Sequence, residues 1–259
     1  MAQFRSISII LIALTASGVL SGQSFNEKKF FQKSCSVNRE VTLEVINKYG
    51  AINITPWGKD TVSVKAEIEI SATNLERLRK MMEGIEIDFS ETSYFVRVET
   101  QFDQTINMFI ESFKDLTDKL IPYDSRIQIN YFINVPRYLN LRITNKYGNV
   151  SLESSTGKFW LDLSNGSFKS GSRELAENIE LAFCDAAIAS IKKGKIDATF
   201  SEVKIGESED LEINSISSRF DIERAKKLEA DSKRDNFFIG KAASLKGTSY
   251  FTDFRIDEL

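Results

Sequence analysis

The side chains in this chain that could do chemistry are carboxylates. There is no histidine, which removes imidazole bases, Ser-His-Asp and Cys-His nucleophile systems and histidine-bearing metal sites. The two cysteines, Cys35 and Cys184, cannot build a thiolate cage; in an exported protein they could form a disulfide, or stand as two separate small buried residues. No glycine-rich phosphate loop, G-x-S-x-G turn, H-E-x-x-H or calcium-roll nonapeptide occurs. What remains is a line of acids, Asp162, Glu180, Asp197, Glu212 and Glu229, bounded by Arg142 and Lys246. Each is the outward residue between two apolar ones. As a catalytic dyad of the glycosidase kind the line is poor, because equally solvated carboxylates leave nothing to raise one pKa above its neighbour. As a cation strip it offers oxygen ligands on strands about 4.7–4.9 Å apart, and weak calcium binding at about 10⁻⁴–10⁻³ M is the expectation.

These acids recur because the stretch around them recurs. Reading every second residue from Val150 gives Val150/Leu152, Phe168/Ser170, Ala186/Ile188, Val203/Ile205, Phe220/Ile222, Phe237/Ile239 and Phe254/Ile256, at intervals of 18 and then 17 residues. A second series precedes it: Leu141/Ile143, Leu161/Leu163, Ile179/Leu181, Ile196/Ala198, Leu211/Ile213, Leu228/Ala230 and Leu245/Gly247. A fixed period near 20 residues signals a stacked array, and apolar–polar alternation within each unit is strand periodicity. The expectation is a mainly β chain: a parallel β-solenoid, or β-helix, of about 17-residue rungs over 137–259. The outward residues of the second strand are Ser151, Lys169, Ala187, Lys204, Asp221, Phe238 and Arg255, of which the aromatic Phe238 is a contact candidate.

Upstream, the tetrapeptide Asn47-Lys48-Tyr49-Gly50 returns intact as Asn145-Lys146-Tyr147-Gly148. Residues 41–56 therefore read as a further rung stacked on the second copy, with Gly50 and Gly148 at a corner needing positive φ and Asn and Tyr forming short ladders. Between the copies, 57–136 reads as a small α+β insertion: a strand from Thr61 to Ile70, a helix after Asn74 that stops at Gly84, strands at 85–89 and 94–98, an amphipathic helix over 104–120, and a strand from Arg126 to Val135 stopped by Pro136.

The first 22 residues have the layout of a signal peptide, with Arg5, an apolar run from Ser6 to Leu20, then Ser21-Gly22. That run is shorter than the ~20 residues a spanning helix needs, so no membrane span is expected after cleavage. Residues 23–40 read as a flexible leader whose phenylalanines could dock on the first rung. Over 259 residues the net charge is −3, which gives no general basic field for nucleic acid or an anionic membrane. At 42% apolar and 27% charged, the chain is globular in composition.

The doubled Asn-Lys-Tyr-Gly phrase, with the stretch Val45 to Ile54 followed by Trp57, Lys59, Asp60, Val62 and Val64, resembles a family of exported, adhesin-like bacterial β-solenoid proteins. The resemblance covers roughly residues 40–259 and has one residue fewer before the first Asn than the family phrase. It implies a signal peptide, a solenoid and a place in the periplasm, at the cell surface or outside the cell. It brings no catalytic residue.

The expected function is a non-enzymatic exported scaffold presenting a flat repetitive face to a protein or polysaccharide at the cell envelope. The alternative is a carbohydrate-active enzyme or polysaccharide binder using the acidic face. An end-to-end homodimer through the last rung could form if its charged residues fail to block edge pairing.

Overall fold

The computed structural model describes Ile12–Ala13, residues 24–104, Ile106 and residues 125–259. Most of the expected leader at 1–22 and nearly all of the expected helix at 104–120 lie outside the described residues. In chain order the first half comprises β1 (Ile12–Ala13), β2 (Phe25–Ser36), β3 (Thr42–Lys48), β4 (Ile52–Trp57), β5 (Thr61–Ala72), α1 (Leu75–Glu83), β6 (Ile85–Glu91), β7 (Phe95–Phe102) and β8 (Ser125–Pro136). The second half comprises β9 (Asn140–Lys146), β10 (Val150–Leu152), β11 (Phe159–Thr199), β12 (Glu202–Ile216), β13 (Arg219–Lys233), β14 (Asn236–Ala242), β15 (Leu245–Lys246), β16 (Ser249–Tyr250) and β17 (Asp253–Glu258).

From β9 onward the chain is a parallel β-solenoid, as its alternation predicts. Consecutive coils pair in parallel register, Val203 beside Ala186, Phe220 beside Val203 and Phe237 beside Phe220. The inward residues stack into ladders: the Phe237 ring lies 4.8 Å from Phe220 and 4.7 Å from Phe254, nearly parallel to both. Phe237 is fully buried. Burial of each such ring contributes roughly 2–3 kcal/mol, and a single coil could not cover it.

The repeated tetrapeptide does make stacked rungs. β3 pairs in parallel with β9, placing Asn47 beside Asn145, and β4 pairs with β10. The Tyr49 and Tyr147 rings stack at 5.5 Å, and the buried Asn145 donates to the Gly50 carbonyl at 3.0 Å. The corner itself is built differently from the expectation. Positive φ falls on Tyr49 and Tyr147, not on the glycines after them. Gly50 and Gly148 are needed because coils touch there: a Cβ on Gly148 would lie 1.9 Å from the Gly50 oxygen. The positive-φ position then repeats along the whole edge at Asn165, Phe183, Phe200, Ser217, Arg234 and Phe251.

From Phe183 on, the residue after each of these turns inward, and together they form a polar spine. The backbone N–H of Cys184 donates to Ser201 Oγ at 3.1 Å, Ser201 N–H to Ser218 Oγ at 3.1 Å, and Ser218 N–H to Asp235 Oδ1 at 2.6 Å. Asp235 is 2% exposed and also accepts from Ser215 Oγ and the Lys233 N–H, both at 2.8 Å. Its two oxygens are thus occupied by donors, as a buried carboxylate requires.

The insertion continues both sheets instead of standing apart. β7 pairs in parallel with β3 on the side away from β9, and β8 pairs in parallel with β4. β5 then runs antiparallel to β8, and β6 antiparallel to β7, while α1 packs Leu78, Met81 and Met82 into the core beneath an Asn74 cap. The flexible leader is corrected. Residues 25–36 form β2, paired antiparallel with β5 over its full length, and Phe31 rests against Phe89 at 6.4 Å. Its strand signal is weak because β2 is half-buried on most positions and shows little alternation.

Candidate binding face

The pairing register places the predicted site residues, and it parts the acidic line. Asp197 stands level with Asn214, while the neighbour of Glu212 is Lys195. The Lys195 ammonium reaches Glu212 at 3.2 Å and Asp197 at 3.8 Å, and it is held above its ordinary pKa by the Glu212 hydrogen bond and then by the Asp197 charge. Asn214 donates to Asp197 at 2.9 Å. Asp162 is level with Thr144, not with Arg142. Glu212 and Glu229 remain neighbours, and Glu180 accepts from Asn178 at 2.6 Å. Within the expected calcium strip, then, a lysine occupies the space between two of the carboxylates. Among the described residues no group of three or more Asp, Glu or Cys side chains could hold a metal ion.

Of the two readings of the cysteines, the structure has the separate one. Cys35 and Cys184 are both free. Cys35 lies on β2 opposite Val62, and burial followed by the Glu91 charge pushes its thiol up to about 11. Cys184 is buried in the polar spine, where its thiol donates to the Leu163 and Ala182 carbonyls at 3.3 and 3.2 Å.

Phe238 is found where the alternation put it, pointing out from β14 next to the inward Phe237. It is not simply exposed. The Arg219 guanidinium lies 4.3 Å from its ring centre on one coil, and Arg255 lies 5.3 Å away on the other. Arg219 is tied to Asp221 at 3.3 Å, whereas among the described residues Arg255 makes no ion pair. The ring thus orients an Arg255 fork whose donors remain available, an arrangement suited to planar anionic or carbonyl groups.

The outward column containing Phe238 runs the length of the molecule. Gln32, Lys65, Phe132 and Asn53 are consecutive neighbours across β2, β5, β8 and β4. Asn53 is followed by Ser151 and Lys169, and further on Ala187, Lys204, Asp221, Phe238 and Arg255 continue in register. Beside the later part lies a shallow groove of about 740 Å³ with Ala189, Gly206 and Gly240 along its floor. Small floor residues let a ligand approach the sheet closely, with Phe238 and Lys204 beside it. The sequence shows the solenoid half of this column directly. It misses the part from Gln32 to Asn53, where strand partners are far apart in the chain.

No family model and no curated protein matches this chain. Its fold is similar to those of three solved proteins, each described as a "putative adhesin": one from Bacteroides fragilis (TM-score 0.49), one from Parabacteroides distasonis (0.48) and one from Parabacteroides merdae (0.47). Each is 11% identical and covers 89% of this chain, and the match covers 97%, 97% and 96% of theirs. Likeness at this level concerns the fold alone and names no ligand.

Proposed function

We propose that this chain is an exported, non-enzymatic scaffold that binds an extended partner along the outward column of its second sheet, with the clamped Phe238 as anchor. The observation that carries this is the unbroken register of that column from Gln32 to Asn53 and from Ala187 to Arg255, which presents one flat row of side chains to a long ligand. The Arg219–Phe238–Arg255 stack fixes three side chains before any ligand arrives, so less conformational entropy is lost on binding. The acidic face supports the carbohydrate-active reading less well, because Lys195 interrupts it between Asp197 and Glu212.

Panels of immobilised polysaccharides and envelope proteins, presented to the parent chain and to Phe238→Ala, test the proposal. The expected result is saturable binding to one of them, weakened about tenfold or more by the substitution, with no release of new reducing ends. Turnover of a glycan, or binding that Phe238→Ala leaves intact while Glu212→Gln abolishes it, would move function to the acidic face.

A further inference from the structure

The long edge where the two sheets meet has a chemistry of its own. Its corner residues take positive φ, a conformation that suits Gly or Asn far better than a bulky ring, yet Phe183, Phe200 and Phe251 occupy it. Folding gives little return for this choice beyond the stacking of Phe183 on Phe200. Phe183 and Phe200 are 58% and 54% exposed and Phe251 is 90% exposed. Beside them, at the residue just before the corner, Ile216 and Tyr250 are also exposed. Strained backbone bearing exposed apolar side chains points to a contact outside the molecule.

The exposed charges at the corners, and at the residue before each, are all of one sign. Lys146, Lys233 and Arg234 are exposed, and among the described residues none of them makes an ion pair. No Asp or Glu stands at any positive-φ corner or at the residue immediately before one. The nearest acid, Asp235, follows the Arg234 corner but is buried in the polar spine, while Asp185, Glu202 and Asp253 stand two residues past a corner. A net charge of −3 averages this pattern away. From Phe183 to Phe251 the edge spans four coil spacings, about 19 Å.

We propose that this edge lies on an anionic lipid bilayer. Phe183, Phe200, Ile216, Tyr250 and Phe251 enter the boundary between headgroups and acyl chains, and Lys146, Lys233 and Arg234 meet the lipid phosphates. Aromatic rings and cations at one level are what that boundary accommodates. The geometry favours lipid over a nucleic acid or a glycan. Phe183 and Phe200 each turn one ring face to the other, with centres 5.1 Å apart, which leaves less open face for a base or sugar. Ile216 has no ring at all, whereas bases and sugars need open ring faces to stack on. The contact uses none of the Phe238 column, so a scaffold held by its edge keeps that face free for a partner.

Co-sedimentation of the full chain with vesicles tests this, using phosphatidylcholine alone and phosphatidylcholine with about 30 mol% phosphatidylglycerol, a proportion that gives a negative surface. The parent chain should bind the anionic vesicles more tightly. Lys233→Glu/Arg234→Glu should weaken that binding about tenfold or more and leave neutral vesicles little affected. Phe183→Ser/Phe200→Ser/Phe251→Ser should weaken both, while its melting temperature stays close to that of the parent. The N-terminal apolar stretch is shared by all variants and cancels from the comparison. Phe238→Ala should change nothing here, which separates this contact from the binding face. Absence of vesicle binding, or equal binding by parent and both variants, overturns the proposal. So does binding to heparin that the charge variant loses and the phenylalanine variant keeps, which would assign the edge to a soluble polyanion.

Discussion

A Cβ placed on Gly148 would lie 1.9 Å from the carbonyl oxygen of Gly50, the residue one coil below it. The contact is backbone on backbone, so no side chain can swing aside to relieve it. Gly148→Ala should therefore destabilise at the upper end of about 1–3 kcal/mol or beyond. Gly58→Ala is the control, because nothing lies within 4 Å of its Cβ position. Urea unfolding of the two variants should separate them clearly, and equal midpoints would mean that the coils do not touch at this corner.

Phe237 and Phe238 are adjacent in the chain and opposite in role. Phe237→Ala removes a fully buried ring stacked on two others and should cost about 3–5 kcal/mol. Phe238→Ala removes the partner of two guanidinium groups on a half-exposed surface and should cost roughly 1 kcal/mol. Chemical denaturation reads both, and the reverse order would place the strand one residue out of register.

Asp235 accepts N–H bonds from Ser218 on one oxygen and from Lys233 on the other. Asp235→Ala strands both donors in the core and should cost about 3 kcal/mol. Asp235→Asn should recover only about half of that, because its amide group must face one of the two N–H donors. Full rescue by Asn would show that one of these bonds is not made.

Alkaline pH should unfold the protein through its buried acids. Burial pushes Cys35 up to about 11 and Tyr49 up to about 12, and it raises Tyr131 as well. In each case the fold keeps the neutral form while the unfolded chain loses its proton earlier, from about pH 8.5 for Cys and about pH 10 for Tyr. Stability from these groups is fully present below those values and is lost as pH rises through the folded ones. Urea midpoints should hold steady to about pH 8.5 and then fall. Midpoints that rise between pH 9 and 11 would contradict the burial of these side chains.

The second-strand series was legible in the sequence to the residue, since all of its pairs from Val150/Leu152 to Phe254/Ile256 align where register is defined. The first-strand series was legible only to the correct side of the sheet. Ile196 aligns with Ile213, and the expected partner Leu211 aligns with Gly194. The strand has three inward positions, and the third is polar at Asn145, Ser215 and Ser232, so counting apolar pairs selects different pairs on different coils. A slide of two residues preserves inward and outward sense while changing every lateral neighbour. That slide is why Lys195 was not seen among the acids. The exposed edge escaped for another reason: it sits at corner residues, which a period-two pattern skips.

The pairing of β3 with β9 also bears on the order in which the molecule assembles. Neighbouring C-terminal coils join residues 17 apart, as Ser201 and Ser218 are, whereas Asn53 and Ser151 meet across 98 residues. Closing the longer loop costs about 1.5 kcal/mol more in chain entropy than closing the shorter one. Short-range coils are also the contacts that form fastest. During synthesis the N-terminal rung can pair with β7 and β8 on one side, yet its other side has no coil to rest on until β9 and Val150 to Leu152 have been made. One side of this early rung is thus among the last surfaces to be covered. Until then Leu43, Val45, Ile52 and Ile54 form an apolar surface that a chaperone or an export machinery can hold.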